Sequence, residues 1–472
     1  MLFINKRVKT ITTIGPSSDS KEGMLKLASR GANVYRLNFS HGDFQEHGAR
    51  VKLAREIISE YQRPLSIMLD TKGPEIRTHS FENDAVLIEK NSVINILTNE
   101  EVLGNAKEFS VNYQNLIKDV KENSKILIDD GKLQLLVLEV DNKNYKIKCR
   151  ALNSHKVKNT RAVNVPGVKL SLDFLSKKDK EDLIFGCEEL KVDYVAASFV
   201  SDASDIKVMR DFLNQHGGQN IKIIAKIESK YAIDNIDEII LHSDGIMIAR
   251  GDLGVDLPYY EVPLWQKRII HKCNKEMVPV IVATQMLESM LTNPTPTRAE
   301  VSDIYWAVDL GVDSTMLSGE SANGEYPDKS MEAMTKVIWK AESHFWYDGY
   351  LEKFLKWSKS AFKDFAYQVG KKVLEKRIHQ VIIIDNSEDH LLLKTLSNAK
   401  IRSTLIPLVN DKDSYSSFGI LYGIYPELVN EDINDILNSN EKLIKIAKKF
   451  GAKDNQKILI VNGSEIKELD IK

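Results

Sequence analysis

Two hydrophobic rhythms divide the chain. Over residues 10–70, short apolar runs alternate with stretches whose apolar residues recur every three to four positions, the signature of strand followed by helix. The pattern predicts strands at 10–14, 34–39 and 65–69 and helices at 21–30 and 45–61. Gly15-Pro16 stops the first strand, Gly31 closes the first helix, and Pro64 precedes the third strand. From about residue 78 to 165 the texture changes to runs such as Lys125-Ile126-Leu127-Ile128 and residues 135–140, with hairpin turns at Asp130-Gly131 and 141–144. That segment reads as an all-β insert.

After Pro166-Gly167 the first rhythm resumes. Strands are expected at 194–199, 221–227, 245–249, 278–283 and 314–317, with helices at 179–190, 203–215, 233–241, 263–275 and 298–309. Three strands before the insert and five after it make eight, the arithmetic of a (β/α)8 TIM barrel. Beyond residue 344 a helix at 360–374, a strand at 381–384 and a closing strand at 457–461 suggest a smaller α/β unit. The expected fold class is therefore α/β, a (β/α)8 barrel with an inserted small β-barrel lid and a C-terminal α/β domain. The expected boundaries are 1–72 and 168–340 for the barrel, 73–167 for the insert and 341–472 for the last domain.

Composition narrows the setting. A formal charge of -2 supplies no bulk attraction to nucleic acid. Cys149, Cys187 and Cys273 are far apart and odd in number, which argues against a disulfide framework or a structural zinc site and for a reducing, cytoplasmic compartment. No apolar run reaches membrane-spanning length, and the first residues lack the apolar stretch of a signal peptide. No G-x-x-x-x-G-K-[ST], H-E-x-x-H or G-x-S-x-G motif occurs, so nucleotide binding here needs another geometry.

In a barrel of this type reactive groups sit at the C-terminal strand ends. Polar residues gather there: Arg36, Asn38 and Ser40; Asp70, Thr71 and Lys72; Lys226 and Glu228; Arg250, Gly251 and Asp252; Thr284 and Gln285. Lys226 and Glu228, two apart on one strand, face the same way and read on their own as a structural ion pair. Asp252, at the next strand end, shifts the balance, because two carboxylates from neighbouring strands suit Mg2+. Gly251 and Gly254 allow close backbone approach to a ligand, and Arg36 offers a planar fork for phosphate. Asn38, Ser40, Asp70 and Thr71 are oxygen donors with one negative charge, a set fit for a monovalent cation; Asn38 and Ser40 alone read equally well as turn residues. His41 and His47 read as a turn and a surface position, and Trp306 and Trp357 as packing residues.

Seven blocks then line up in order: residues 36–42 (RLNFSHG), 70–77 (DTKGPEIR), 226–228 (KIE), 249–254 (ARGDLG), 283–290 (ATQMLESM), 296–300 (PTRAE) and 316–322 (MLSGESA). Together they resemble the pyruvate kinase family across the whole barrel. The resemblance implies transfer of a phosphoryl group from phosphoenolpyruvate to ADP, with Mg2+ (or Mn2+) and K+, in a homotetramer whose insert closes as a lid and whose C-terminal domain is regulatory. It implies that Lys226 stabilises the phosphoryl group in transit, Glu228 and Asp252 hold Mg2+, and Arg36 contacts the phosphate. Gly251, Asp252 and Thr284 would hold the carboxylate of phosphoenolpyruvate. Asn38, Ser40, Asp70 and Thr71 match the K+ site, Asn38, Arg77 and Lys178 match nucleotide-contacting positions, and Glu75 matches K+-dependent members. Two departures stand out. His79 replaces a frequent glycine, and residues 385–390 (DNSEDH) lack the Ser-Gly phosphate cradle of regulated members, so no activation by fructose 1,6-bisphosphate is expected. A lyase on the same barrel and an inactive paralogue are the competing readings.

Overall fold

The computed structural model describes residues 6–385 and 387–471, and of Glu388 the backbone only. Eight parallel strands close into a barrel in which each strand pairs with the next and the last returns to the first. They are β1 (Lys9–Thr13), β2 (Val34–Asn38), β3 (Ser66–Asp70), β4 (Tyr194–Ala197), β5 (Lys222–Ile227), β6 (Gly245–Ala249), β7 (Val280–Ala283) and β8 (Ser314–Leu317). Closure is made by Lys9 opposite Ser314 and Met316 opposite Ile11. Most strand residues are buried, because the interior takes one face and the helical ring the other.

The helices start where local chemistry stops the strand. Ser20, Asp43, Ser176, Asp202 and Thr297 each cap a helix by accepting a backbone N–H, and the last three form reciprocal capping boxes. The expected helix over 179–190 runs as Lys177–Phe185 and then widens into a π-turn at Gly186–Leu190.

Between β3 and β4 lies a mixed, mostly antiparallel sheet of seven strands with its own apolar core around Ile94, Phe109, Ile126, Leu135 and Cys149. A bridge from Thr78 to Val111 joins its two edges, giving the small barrel that the period-two pattern implied. The C-terminal region holds a five-stranded sheet packed on both faces. Its edge strand Glu465–Asp470 lies beyond the strand expected to close the sheet. Helix Pro327–His344 passes through the boundary expected at residue 340. Among the described residues no helix is long and apolar enough to cross a membrane. Cys149, Cys187 and Cys273 are buried thiols.

Candidate active site at the barrel mouth

β5 delivers Lys226 and Glu228 to the C-terminal mouth, and the period of two aims both side chains inward. The Lys226 ammonium donates to Glu228 Oε1 at 2.9 Å, Asp70 Oδ1 at 3.1 Å and Ser198 Oγ at 2.7 Å. Asp70, ending β3, accepts on its other oxygen from Arg36 Nε at 2.5 Å, while Arg36 Nη1 donates to Thr13 Oγ1 at 2.8 Å. One buried carboxylate thus ties together two buried cations from β2 and β5. Burial alone would raise Asp70, but Arg36 and Lys226 hold it below the ordinary carboxylate range. Burial likewise pulls Lys226 down, and Asp70 and Glu228 more than reverse it.

Asp252 sits in the first turn of helix Arg250–Asp256, directly after β6. Burial, then the nearby charge of Glu228, pushes its carboxyl up to about 7. A divalent cation at this wall would favour the ionised form of Asp252 beside Glu228, so the two carboxylates fit Mg2+, which takes few protein oxygens. Both line a cavity of about 340 Å³ whose opposite wall is the insert, with Arg77, Asp129, Asp130 and Arg161. A neighbouring recess of about 730 Å³ shares Asp252 and adds Gly251, Arg250 and Gln285.

The Thr284 backbone is left-handed at φ 64°, unusual for a β-branched residue. Arg250 clamps it: Nη2 donates to Thr284 O at 2.8 Å and Nη1 to Asp303 Oδ2 at 2.5 Å. In that posture Thr284 Oγ1 accepts the Gly251 N–H at 2.7 Å, so an amide expected to face a ligand is capped by the hydroxyl expected beside it.

The monovalent set is contiguous but internally engaged. Asn38 lies opposite Asp70 in the β2–β3 register, and its Oδ1 accepts the Ser40 N–H at 3.2 Å. Thr71 Oγ1 accepts the Ser198 N–H at 3.0 Å, and Thr71 O accepts from Ser198 Oγ at 2.6 Å. All the donors are oxygens, and the single carboxylate among them, Asp70, is paired with Arg36 and Lys226.

Arg77 lines the main cavity and holds Glu75 through Nε and Nη2 at 3.0 and 2.9 Å. Lys178 is outside the cavity lining; it pairs with Asp182 along its own helix and lies over the Phe44 ring. Arg36 and Lys226 stand behind the lining as buried groups.

Three residues at or beside the site escaped the sequence. Ser198 follows β4, which stops at Ala197 rather than running to 199, and a Ser after a strand carries no signal of its own. Arg161 shares the main cavity with Glu228 and Asp252, but nothing along the chain marks it. His47, expected at the surface, is 2% exposed, stacks on Phe39 at 4.0 Å and bonds through Nε2 to His41 O at 2.9 Å. The apolar neighbours on its helix face were the available clue. Burial drops its pKa to about 4, which keeps the ring neutral. Of residues 385–390, Asn386 and the Glu388 side chain lie outside the described residues; Asp385 Oδ2 accepts the Leu393 N–H at 3.1 Å and so helps start the next helix.

Cations and carboxylates converging at one barrel mouth, facing a cavity walled by a β-rich insert, mark the class: a barrel phosphotransferase. The pyruvate kinase barrel-domain family model matches residues 5–331. A pyruvate kinase of Clostridium acetobutylicum is 40% identical over 439 residues, 93% of this chain and 91% of that one. A pyruvate kinase of Mycoplasma pneumoniae is 40% identical over 467 residues, covering 91% of each chain. The crystal structure of a pyruvate kinase from Cryptosporidium parvum superposes with a TM-score of 0.92 at 31% identity, over 99% of this chain and 97% of that one. The chain belongs to the pyruvate kinase family. Its reaction is transfer of the phosphoryl group of phosphoenolpyruvate to ADP, giving pyruvate and ATP.

Proposed function

We propose that the chemistry runs at the Lys226–Glu228–Asp252 mouth, with Lys226 as the cation that meets the phosphoryl group in transit. The observation that carries this is the Lys226 ammonium, buried within 2.9 Å of Glu228 and 3.1 Å of Asp70 beside the cavity. Phosphoryl transfer demands positioned positive charge and little covalent work from the protein. Arg36 binds the phosphate of phosphoenolpyruvate, and Lys226 follows the moving oxygens and then the enolate oxygen left behind. The Gly251 and Asp252 amides and Thr284 orient the substrate carboxylate, which requires Thr284 to yield the Gly251 N–H.

Glu228 and Asp252 hold Mg2+ (or Mn2+), and Asn38, Ser40, Asp70 and Thr71 hold K+. When bound, these ions add positive charge at the transferring oxygens. Arg77, with Arg161 across the same cavity, meets the nucleotide phosphates; Asn38 and Lys178 are nucleotide positions only by resemblance. The insert, residues 73–167, excludes water when it closes over the 1–72 and 168–340 barrel. A homotetramer, a cytoplasmic setting and indifference to fructose 1,6-bisphosphate complete the reading, the last because the sequence at 385–390 (DNSEDH) lacks the Ser-Gly cradle and adds carboxylates that repel phosphate.

A coupled assay with phosphoenolpyruvate, ADP and Mg2+, with and without K+, tests it. Lys226→Met should lower kcat by roughly a thousandfold or more while phosphoenolpyruvate binding, measured directly, changes by less than about tenfold. A near-normal kcat would remove Lys226 from the mechanism. Glu75→Lys should reduce the K+ requirement, and unchanged dependence would refute the monovalent site.

A further inference from the structure

We propose that Ser198 is a positioning residue for Lys226, a neutral seat that holds the ammonium beside Glu228 at the cavity wall while the carboxylates change partners. The inference rests on the role given above to Lys226. An ammonium has three donors. Here all three are used, on Glu228, Asp70 and Ser198, and the Ser198 contact is the shortest at 2.7 Å. Both carboxylates have other calls on them. Asp70 is shared with Arg36, and Glu228 is one of the two acids suited to a divalent cation. Ser198 alone among the three has no such competing charge.

The geometry of Ser198 is fixed on its other sides. Its hydroxyl proton goes to Thr71 O at 2.6 Å, with a longer approach of 3.3 Å to Asp70 Oδ1, which leaves its lone pairs for Lys226. Its own N–H donates to Thr71 Oγ1 at 3.0 Å. The next residue, Phe199, takes a left-handed backbone at φ 56° and donates its N–H to Glu228 Oε2 at 2.6 Å. Two consecutive residues after β4 therefore hold both members of the Lys226–Glu228 pair, one through a side chain and one through the backbone. Without the Ser198 oxygen, Lys226 falls back on Asp70 and Glu228. It then presents its charge in the wrong direction and competes with the divalent cation for Glu228.

Three variants separate this role from packing: Ser198→Ala, Ser198→Cys, which keeps the volume but accepts hydrogen bonds poorly, and Ser198→Thr, which keeps the hydroxyl. A hydrogen bond to a charged group predicts that Ala and Cys each lower kcat by roughly 10- to 100-fold. Direct phosphoenolpyruvate affinity should stay within about threefold, the signature of an interaction made in the transition state. Mn2+ binding to the protein without substrate, followed by electron paramagnetic resonance, should weaken in both variants, and Thr should recover most of kcat if it folds. Near-normal kcat in the folded Cys variant would overturn the proposal by reducing Ser198 to packing; so would unchanged Mn2+ affinity in Ala and Cys together. Lys226→Met, run alongside, keeps the two levels apart. If it retains kcat, the reading of Lys226 fails; if it loses kcat while Ser198→Cys does not, only the role of Ser198 fails.

Discussion

Lys226 and Lys9, strand lysines at the two mouths of the barrel, are buried by opposite means. At the C-terminal mouth, Lys226 and Arg36 lie against the carboxylates Asp70 and Glu228, and Lys226 keeps its proton more firmly than a free lysine. At the N-terminal mouth, residues 415–425 of the C-terminal region fill the opening. Ser66 Oγ donates to Ser416 O, Tyr194 OH to Ser417 O and Ser314 Oγ to Ile420 O, at 2.5, 2.5 and 2.9 Å. Lys9 there donates to a neutral carbonyl, Ile424 O at 2.5 Å, over the Tyr425 ring, and Lys6 donates to Gly31 O and Asn33 Oδ1 at 2.7 and 2.8 Å. Burial, with Lys6 and Arg63 adding repulsion, lowers Lys9 well below the ordinary lysine value. The cavity at this end is about 10 Å³, against about 340 Å³ at the other. Lys226 is 11% exposed against 1% for Lys9, and two carboxylates hold its proton where a carbonyl and a ring leave Lys9 depressed, so exposure and partner together decide whether such a lysine remains a usable charge.

Paired substitutions break this comparison most severely. Asp70→Asn removes the charge shared by Arg36 and Lys226, and Asp313→Asn removes the carboxylate that faces Lys400 at 2.5 Å near the other end. Each leaves buried charge uncompensated, for a loss of about 3–5 kcal/mol seen as a lowered Tm. Only Asp70→Asn should also abolish turnover at temperatures where both variants stay folded. Equal loss of kcat in Asp313→Asn would mean that the lower mouth takes part in catalysis.

Gly419→Ala tests the plug itself. A Cβ at this position would fall 2.1 Å from Ser66 Oγ and 2.9 Å from Val34 Cγ2. Overpacking of this kind costs about 1–3 kcal/mol, and kcat should move little. A Tm equal to that of the parent would show that residues 415–425 can lift away without cost.

Asp193 lies at the same junction, accepting from Ile67 N at 2.6 Å and from the Ser416 hydroxyl, and burial raises it to about 6. The folded protein therefore holds a proton that the unfolded chain, with an ordinary value of about 3.9, has already lost. Stability falls as pH rises through about 4 to 6 and stays lower above that window. Asp193→Asn should remove this component, giving about 1–2 kcal/mol of relative stabilisation at pH 8 over pH 4. An unchanged pH dependence of Tm in the variant would show that the carboxylate ionises as freely in the folded state.

What the sequence makes legible follows from how local the controlling force is. β6 and β8, and the helices Ala203–Gln215 and Arg298–Asp309, fall at their expected bounds because apolar periodicity and capping residues lie within the element. Edge strand Glu465–Asp470 (EIKELD) has no apolar face of its own and exists through pairing with Lys457–Asn462, which is invisible along the chain. In the site, residue types at strand ends locate Lys226, Glu228, Asp252 and Arg36. The contacts of Ser198 and the burial of His47 depend on which strand lies beside which, and on a left-handed turn at Phe199 that no glycine announces. The lysines of the lower mouth were unreadable for the same reason: Lys6 and Lys9 look like ordinary flanking charges until residues 415–425 cover them.

Lys9→Met gives the smallest expected effect and the sharpest contrast with Lys226→Met. Lys9 is 1% exposed and has a carbonyl and a ring for partners, with no carboxylate in hydrogen-bond contact among the described residues. Replacing a buried charge of this kind by an apolar chain of similar length is close to neutral, within about 1 kcal/mol at pH 7. The sign then depends on pH. Because the folded value lies below the unfolded 10.5, the unfolded chain binds more protons between the two, and the parent's stability rises with pH across that interval. Methionine has no proton to lose, so the parent should gain on the variant as pH increases from 7 toward 10. A Tm difference independent of pH would place the Lys9 proton equally firmly in both states, and the lower mouth would then hold its lysine as the upper one does.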